Sequence, residues 1–283
     1  MYLPKEIPNA RVLIAVKTYP TPSAKYDELV CNAGFLENGK WIRIYPIKFR
    51  SLPYDQQYSK FNWIQLDLKR NKSDFRQESY RPLQGIDEPI KKLGSVSTGK
   101  DRTWAERKKY ALAEVFTSMS ELIKLAKTRG IWKSLGTVKP KEIVDFEIEP
   151  VKRDWPQKMK VQLRQLKLFD KTDTGREHRI VRKLPYKYYY RFLTEGDDNP
   201  RRMMIEDWEI GALYWNCLKQ TGGDESAANE LVKKKYFEQF LEKDLYFFVG
   251  TTLANHMRSK NPFVIIGVFY PPKSPQMRLP LQF

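Results

Sequence analysis

The sequence predicts an α+β fold with a mixed or antiparallel sheet, in one form a small barrel, built from N- and C-terminal strands around a helical middle section. Three observations predict it. Short apolar runs separated by turn residues fill residues 11–70. Helical patterns follow over residues 103–130 and 205–243, and strand-like apolar runs then return at the end. We therefore expect one compact unit over residues 1–283, with residues 101–180 as a candidate helical subdomain.

The first part of the chain is predicted as strands. The run Arg11–Pro20 is apolar and ends in Pro, Thr and Ser residues. Residues 27–49 contain Asn38-Gly39 between two strand-like runs, which is the strongest short-range signal for a two-residue hairpin loop. Residues 61–70 alternate like a further strand, and the polar residues 71–101 are predicted as loop.

The second part is predicted to alternate between helices and strands, with glycines and acids at the expected helix ends. The predicted elements are a helix over residues 103–130, strands over 143–155 and 183–193, helices over 205–220 and 224–244, and two apolar strands over 244–252 and 263–271.

The charge of the chain predicts a polyanionic partner. Lys and Arg number 51 against 34 Asp and Glu, which gives a net charge of +17. A surplus of this size is typical of proteins that bind nucleic acid, and we expect DNA rather than RNA. The sequence contains no strongly amphipathic basic helix and no lipidation signal, so we expect no membrane partner.

The scarcity of Cys and His narrows the chemistry. Two cysteines, Cys31 and Cys217, argue against a disulfide scaffold and for a reducing compartment, so we expect a cytoplasmic protein. Two separate histidines argue against a zinc site, and no phosphate-binding loop, dinucleotide fingerprint or nucleophile elbow is present. We therefore expect no metal and no cofactor, with any catalysis carried by carboxylates, Lys or Tyr.

The predicted hairpin yields a candidate base-binding pocket. With a two-residue loop at Asn38-Gly39, Leu36 would lie opposite Trp41, Gly34 opposite Arg43, and Asn32 opposite Tyr45. One face would then collect a glycine, an amide, an arginine and aromatic rings, as a pocket for a planar base requires. The predicted base pocket is Asn32, Gly34, Trp41, Arg43 and Tyr45. The alternative is that the rings only pack beneath a helix.

Carboxylates at the start of the same strand are the candidate catalytic groups. Alternation places Glu28 on the pocket face, and Asp27 is its neighbour. Lys48 and Arg50 would extend the positive edge of this surface towards a nucleic-acid backbone.

The segment KLPYKYYYRFL, residues 183–193, is predicted as a strand with two unlike faces. One face carries Leu, Tyr and Phe and is predicted as core. The other carries Lys187, Tyr189 and Arg191, a cationic face with a ring in its middle that could contact a nucleic-acid backbone.

The acids of the segment MIEDWE are secondary candidates. On a helix, Glu206 and Glu209 would share a face while Asp207 pointed elsewhere. The alternative is that these acids favour the positive end of a helix. Asp244, at the start of an apolar strand, is the remaining acidic candidate.

These features predict a metal-independent DNA N-glycosylase that extrudes a base, with a preference for modified bases. A carboxylate can stabilise the oxocarbenium-like transition state without metal or histidine. The first alternative is a non-catalytic DNA or RNA reader. The second is a metal-dependent nuclease, for which Asp55 and the segment Asp67–Lys69 supply a loose pattern of acids and lysine.

Overall fold

The computed structural model describes residues 3–23, 27–54, 56–157, 161 and 181–273. The strands of the first part are β1 (Glu6–Lys17), β2 (Thr21–Ser23), β3 (Asp27–Leu36), β4 (Trp41–Ile47), β5 (Asn62–Arg70), β6 (Ser79–Pro82) and β7 (Lys91–Ser95), followed by helix α1 (Ala105–Ala111). The second part contains β8 (Val115–Phe116), α2 (Met119–Lys127), β9 (Leu135–Val138), β10 (Glu142–Pro150), β11 (Tyr186–Leu193), β12 (Arg201–Met204), α3 (Trp208–Gln220), α4 (Glu225–Lys233), β13 (Tyr246–Thr251) and β14 (Phe263–Phe269).

Five strands of the first part form a closed mixed barrel. Its order is β1-β3-β4-β6-β5, and β5 pairs again with β1 to close it. The β4–β6 pair is parallel and the other pairs are antiparallel. Counted along the chain, the barrel strands follow the order first, second, third, fifth, fourth, with the third and fifth parallel. This is the connectivity of OB-fold barrels, and the α+β fold with a barrel-like sheet is confirmed.

Alternation along the strands explains the barrel interior. Val12 and Ile14 of β1, Ile42 and Ile44 of β4, and Ile64 of β5 are fully buried in one apolar cluster. The strands also approach each other closely at one point. A Cβ atom on Gly34 would lie 2.1 Å from the carbonyl oxygen of Leu13, so only glycine fits there.

The second part contains two further sheets packed with helices. One has the order β10-β11-β12 and the other the order β14-β13-β9-β8. The N- and C-terminal strands therefore lie in separate sheets rather than in the shared sheet that the sequence predicted. The barrel closes on itself through the β1–β5 pair, so β1 has no free edge to offer to β13 or β14.

Two local predictions are wrong. The helix predicted over residues 103–130 is divided into α1 and α2 by strand β8, which pairs with β9, and α2 begins at a new cap, where the Ser118 hydroxyl accepts a hydrogen bond from the Glu121 amide. The segment 71–101, predicted as loop, contains β6 and β7.

Candidate nucleic-acid interface

The hairpin between β3 and β4 has a three-residue loop, so the predicted register is wrong by one residue. The Leu36 amide donates to the Lys40 carbonyl at 2.9 Å, and the pairs along the strands are Phe35 with Trp41, Gly34 with Ile42 and Ala33 with Arg43. Gly39 has a φ of 77°, which suits a three-residue loop with glycine in the left-handed region.

The shift of one residue separates the predicted pocket residues. Asn32 faces the barrel interior, where its Oδ1 accepts a hydrogen bond from the Tyr58 hydroxyl at 3.0 Å. Trp41 and Arg43 lie on the outside of the barrel instead, and Tyr45 is 39% exposed. These residues do not line one cleft, because a one-residue shift moves a strand's side chains to the opposite face.

Arg43 is buried and connects the two parts of the chain through hydrogen bonds. Its Nη1 donates to the Ser134 hydroxyl at 2.7 Å, and its Nη2 donates to the carbonyl oxygens of Ser134 and Thr251, each at 3.2 Å. Only 4% of Arg43 is exposed, so its charge is held inside the protein by these oxygens.

A second buried network lies beside Arg43. Arg76 donates to both carboxylate oxygens of Asp74, at 2.8 and 2.5 Å, and to the Thr251 carbonyl at 2.5 Å. Burial raises the pKa of Asp74, but hydrogen bonds from Arg76 and Ser79 outweigh it and leave the pKa below its usual value. The buried His256 ring bonds the Thr251 hydroxyl at 2.7 Å and the Ala126 carbonyl at 2.8 Å. This network is the polar part of the joint between the two parts.

The outer face of β3 and β4 is covered by the second part of the chain. The Phe35 and Trp41 rings pack together at 4.2 Å between centroids, and both contact Phe248 of β13, at 6.0 and 5.2 Å. OB-fold barrels generally bind oligonucleotides on this face. Here an intramolecular contact occupies it.

Asp27 and Glu28 begin strand β3, where their backbones pair with Ser23 and Pro22. Their side chains lie outside the described residues, so their catalytic role stays a prediction. Lys48 precedes a short helical turn, and Arg50 lies exposed within that turn.

The strand β11 has the two faces that the sequence predicted. Tyr188, Tyr190 and Phe192 are buried in the core. The opposite face is less cationic than its sequence suggests, because β10 places acids beside it. The cross-strand pairs are Lys187 with Glu149, Tyr189 with Glu147, and Arg191 with Asp145.

Arg202 of β12 completes this charged face. Its guanidinium lies 3.4 Å from the centre of the Tyr189 ring, and it donates to the carboxylates of Glu147 and Glu149 at 2.6 Å. The ring is therefore covered, and both arginines of this face are paired, since Arg191 lies 3.7 Å from the Glu147 carboxylate.

The helix predicted from Ile205 begins later, at Trp208, so Glu206 and Glu209 do not share a helix face. Asp207 is the cap of α3 and accepts a hydrogen bond from the Glu209 amide at 3.1 Å. Glu206 precedes the helix, with its amide bonded to the Ile265 carbonyl. Burial raises the pKa of Glu206 and the charge of Lys187 opposes that shift.

The remaining acidic candidate, Asp244, lies just before β13 in a small ion pair. Its carboxylate accepts from the Lys139 amine at 2.5 Å and from the Tyr246 hydroxyl at 3.0 Å.

Asp207 and Glu209 meet a lysine of the barrel. Lys60 donates to both carboxylates, at 2.7 and 2.8 Å, and its side chain is 8% exposed. Burial would lower the pKa of Lys60, but the two acids outweigh it and raise the pKa. Burial raises the pKa of Asp207 to about 6, although Lys60 opposes that shift.

Lys17, at the end of β1, lies in a cage of aromatic rings. Its amine is 4.0 Å from the centre of the Phe49 ring, 5.4 Å from that of Trp208 and 5.8 Å from that of Tyr58, and it donates to the Tyr58 carbonyl at 2.8 Å. Burial, and after it the charge of Lys60, lowers the pKa of Lys17, while the charges of Glu209 and Asp207 oppose the shift; the resulting pKa is about 8.

A cavity of about 440 Å³ opens beside helix α3. Two indoles, Trp155 and Trp215, line it together with Arg182 and Lys183. The guanidinium of Arg182 lies 3.8 Å from the centre of the Trp215 ring, in a stacked cation–π contact. The volume falls within the range of roughly 300–1,000 Å³ that is usual for small-ligand sites.

Of the charged side chains that the structure describes around this cavity, some have an ion-pair partner and others do not. Glu225 at the rim accepts from Arg153, by a bidentate contact, and from the Tyr186 hydroxyl at 2.8 Å. Arg182 is exposed, and no carboxylate among the described residues pairs with it. Residues 158–180, which lie between Trp155 and Arg182 in the sequence, carry seven Lys or Arg and three Asp or Glu.

Tyr19 connects the cavity with the Lys17 cage. Its hydroxyl accepts from the Trp215 indole at 2.9 Å and donates to the Arg182 carbonyl at 2.8 Å. A Cβ atom on Gly211 of α3 would lie 2.3 Å from the Tyr19 ring, so the ring packs directly on the helix. Trp208, Gly211 and Trp215 recur at helical spacing, which places the cage and the cavity along one side of α3.

The sequence reasoning missed the cavity. Arg153 and Trp155 form a basic–aromatic pair in the segment VKRDW, and Arg182 with Lys183 forms a basic pair before β11. That composition was a usable signal for nucleic-acid contact. Trp215, however, fitted the core stripe of a helix, and nothing local connected it to the other two segments.

Within the described part of the chain, no group of three or more His, Cys, Asp or Glu side chains is placed to hold a metal ion. No helix of the described residues is both long and apolar enough to cross a bilayer.

Comparison with protein-family models gives two matches that meet between α1 and β8. Residues 115–282 match the model described as domain of unknown function DUF8757. The chain belongs to this family. Residues 8–113, which contain the barrel, match domain of unknown function DUF8758. No curated protein matches the chain.

Proposed function

We propose that the protein binds nucleic acid through an unpaired base held in the α3 cavity, with DNA as the preferred partner. The observation that carries the proposal is the stacked pair of Arg182 and Trp215 in a cavity of about 440 Å³. A base can stack on an indole or on a guanidinium plane, and the same guanidinium can contact the adjoining phosphate.

The charge of the molecule supports this choice of ligand. A net charge of +17 attracts a polyanion, and the sequence between the cavity residues Trp155 and Arg182 is itself basic. The other candidate surfaces are weaker. The barrel face is covered by Phe248, and on the β11 face Glu147 and Glu149 bind Arg202, with Glu149 lying opposite Lys187.

Binding of a fluorescently labelled, single-stranded DNA 15-mer at low salt, measured by fluorescence anisotropy, tests the proposal. We expect Arg182→Ala and Trp215→Ala each to weaken binding by about 5- to 150-fold, because one lost base stack costs about 1–3 kcal/mol. Arg11→Ala is the matched control, since Arg11 also lies over an indole, Trp63, at 5.7 Å but outside the cavity. We expect it to change binding less than twofold.

Two results would overturn the proposal. One is the absence of binding to single-stranded DNA at low salt. The other is binding that Arg182→Ala and Arg11→Ala weaken equally, since general charge rather than the cavity would then account for the affinity.

Cleavage of the N-glycosidic bond remains the proposed reaction if a held base is also processed. The observation in its favour is that the partly exposed Glu209 and the buried Asp207 lie along the same helix as the base cavity. Incubation of plain and base-modified DNA in EDTA, with and without later alkali, tests it. Breaks that appear only after alkali are expected of a glycosylase, breaks that EDTA abolishes indicate a nuclease, and bound but intact DNA indicates a reader.

A further inference from the structure

The amine of Lys17 has the surroundings of a nucleophile rather than of a surface cation. Three aromatic rings surround it, and the Tyr58 carbonyl fixes its direction at 2.8 Å. The residue as a whole is nevertheless partly exposed. A lysine that is desolvated and lies near a second cation is a known way to obtain a reactive amine.

The neighbouring charges are arranged for proton transfer. Lys60 is held by Asp207 and Glu209, so it stays a cation and opposes a second positive charge on Lys17. Asp207 is fully buried, and its carboxylate accepts hydrogen bonds from Lys60 and from the Glu209 amide. Glu209 is about half exposed, at 47% of its side chain. The half-exposed Glu209 carboxylate, whose charge acts on Lys17, is thus a base that can accept a proton from the amine.

The position of Lys17 suggests what it would react with. Lys17 and Tyr19 lie two residues apart on an extended chain, and Tyr19 touches the Trp215 and Arg182 sides of the cavity. Trp208 of the cage and Trp215 of the cavity are seven residues apart on α3, which is roughly 10 Å along the helix. A strand that places a base in the cavity would therefore place an adjoining sugar near the cage.

We propose that Lys17 is a nucleophilic amine that condenses with the open-chain aldehyde of a base-free sugar in nucleic acid held along α3. This inference rests on the nucleic-acid binding proposed above. An intact nucleic acid offers no free aldehyde, whereas a sugar that has lost its base opens to one at C1′.

The reaction balances without an external oxidant or cofactor. The lone pair of the neutral amine forms the N–C1′ bond, and the carbonyl electrons move to oxygen, which takes up a proton. The nitrogen releases one of its two protons, which gives a neutral carbinolamine. A proton from solvent on that hydroxyl lets it leave as water and leaves a protonated imine, so the condensation consumes one proton in total. The pKa of about 8 for Lys17 keeps roughly a tenth of the amine neutral at pH 7 and most of it neutral at pH 9.

Reductive trapping tests the proposal. The full-length protein would be incubated with a single-stranded oligonucleotide that carries one base-free site, in sodium cyanoborohydride, and the adduct located by peptide mass spectrometry. We expect the adduct on Lys17. The adduct yield should fall at least tenfold in Lys17→Arg and should not change in Lys219→Arg. Arginine at position 17 keeps a cation over the rings, and Lys219 is an exposed lysine of helix α3.

The pH profile separates a specific site from general labelling. The initial rate of trapping on Lys17 should rise about tenfold from pH 7 to pH 9 and then level off. The trapping rate on an ordinary surface lysine, which has a pKa of about 10.4, would rise about 100-fold over the same range without levelling off. Equal adduct yields in wild type and Lys17→Arg would overturn the inference, provided that thermal unfolding shows both proteins to be folded.

A small aldehyde, glycolaldehyde, distinguishes the two proposals. If the oligonucleotide binds in the anisotropy assay but forms no adduct at Lys17, the inference falls and the binding function stands. If the oligonucleotide does not bind, the binding function falls. In that case at least tenfold faster labelling of Lys17 than of Lys219 by glycolaldehyde supports the nucleophilic role, and equal labelling overturns it.

Discussion

Replacing Arg76 by methionine should destabilise the joint between the barrel and the second part of the chain. The guanidinium donates to both oxygens of Asp74 and to the Thr251 carbonyl. Asp74 is 5% exposed, so the change would leave a buried carboxylate with the Ser79 hydroxyl at 2.6 Å as its remaining side-chain donor.

The expected loss follows from that geometry. Breaking a buried ion pair by removing one partner costs about 3–5 kcal/mol, because the other charge stays buried without compensation. Arg76→Met should therefore lower the free energy of unfolding by that amount. Replacing both partners, in Asp74→Leu with Arg76→Met, should cost clearly less, because two apolar groups leave no buried charge. The Thr251 carbonyl keeps its hydrogen bond from Arg43 in both variants.

Urea unfolding at pH 7 of wild type, both single variants and the double variant measures this difference. A loss below about 1 kcal/mol in Arg76→Met, or a double variant no more stable than Arg76→Met, would refute the reasoning. The acid dependence gives a second check. In wild type the pKa of Asp74 is lowered, so its contribution to stability is present above the unfolded pKa of about 3.9 and is lost as the pH falls through the folded value. In Arg76→Met the carboxyl can be protonated, so the deficit should shrink from pH 7 to pH 4.

Three further predictions follow from the same structure. Gly34→Ala should lose at least about 3 kcal/mol of stability or fail to fold, because the new Cβ would meet the Leu13 carbonyl at 2.1 Å, whereas Gly94→Ala, with open space around it, should be nearly neutral by thermal unfolding. Lys187→Ala and Arg191→Ala should each change oligonucleotide affinity less than about twofold in the anisotropy assay, because acids of β10 already lie opposite both. The free energy of unfolding of wild type relative to Lys17→Met should rise from about pH 8 to about pH 10, because the lowered pKa of Lys17 means that the folded protein releases a proton that the unfolded chain still holds; a constant difference in urea unfolding would contradict this.

The local alternation of the strands could be predicted from the sequence. Tyr188, Tyr190 and Phe192 are buried as their spacing indicated. The hairpin register could not be predicted from the sequence, because Asn38-Gly39 is compatible with loops of two or three residues. In the structure Gly39 adopts the left-handed conformation that a three-residue loop uses. That one residue decides whether Arg43 shares a face with Gly34 or with Ala33, and it separated the predicted pocket.

The barrel closure and the candidate site depend on contacts between distant residues. The β1–β5 pairing closes the barrel, and no local pattern of β1 specifies its partner. In the same way, Trp155, Arg182 and Trp215 lie in three separate segments, and they form one cavity only because β11 and α3 pack against each other. Their chemistry could be read from the sequence, but their proximity could not.

Photocrosslinking is the most direct test of the claim that the α3 cavity holds a base. A single-stranded oligonucleotide with one 5-bromouracil would be bound at low salt, irradiated and mapped by peptide mass spectrometry. We expect crosslinks at Trp215 or Trp155, both in the cavity lining, and we expect Arg182→Ala to lose them at a protein concentration that saturates the wild type. Crosslinks confined to the hairpin around Gly39 or to the β11 face, with both tryptophans unlabelled, would contradict it.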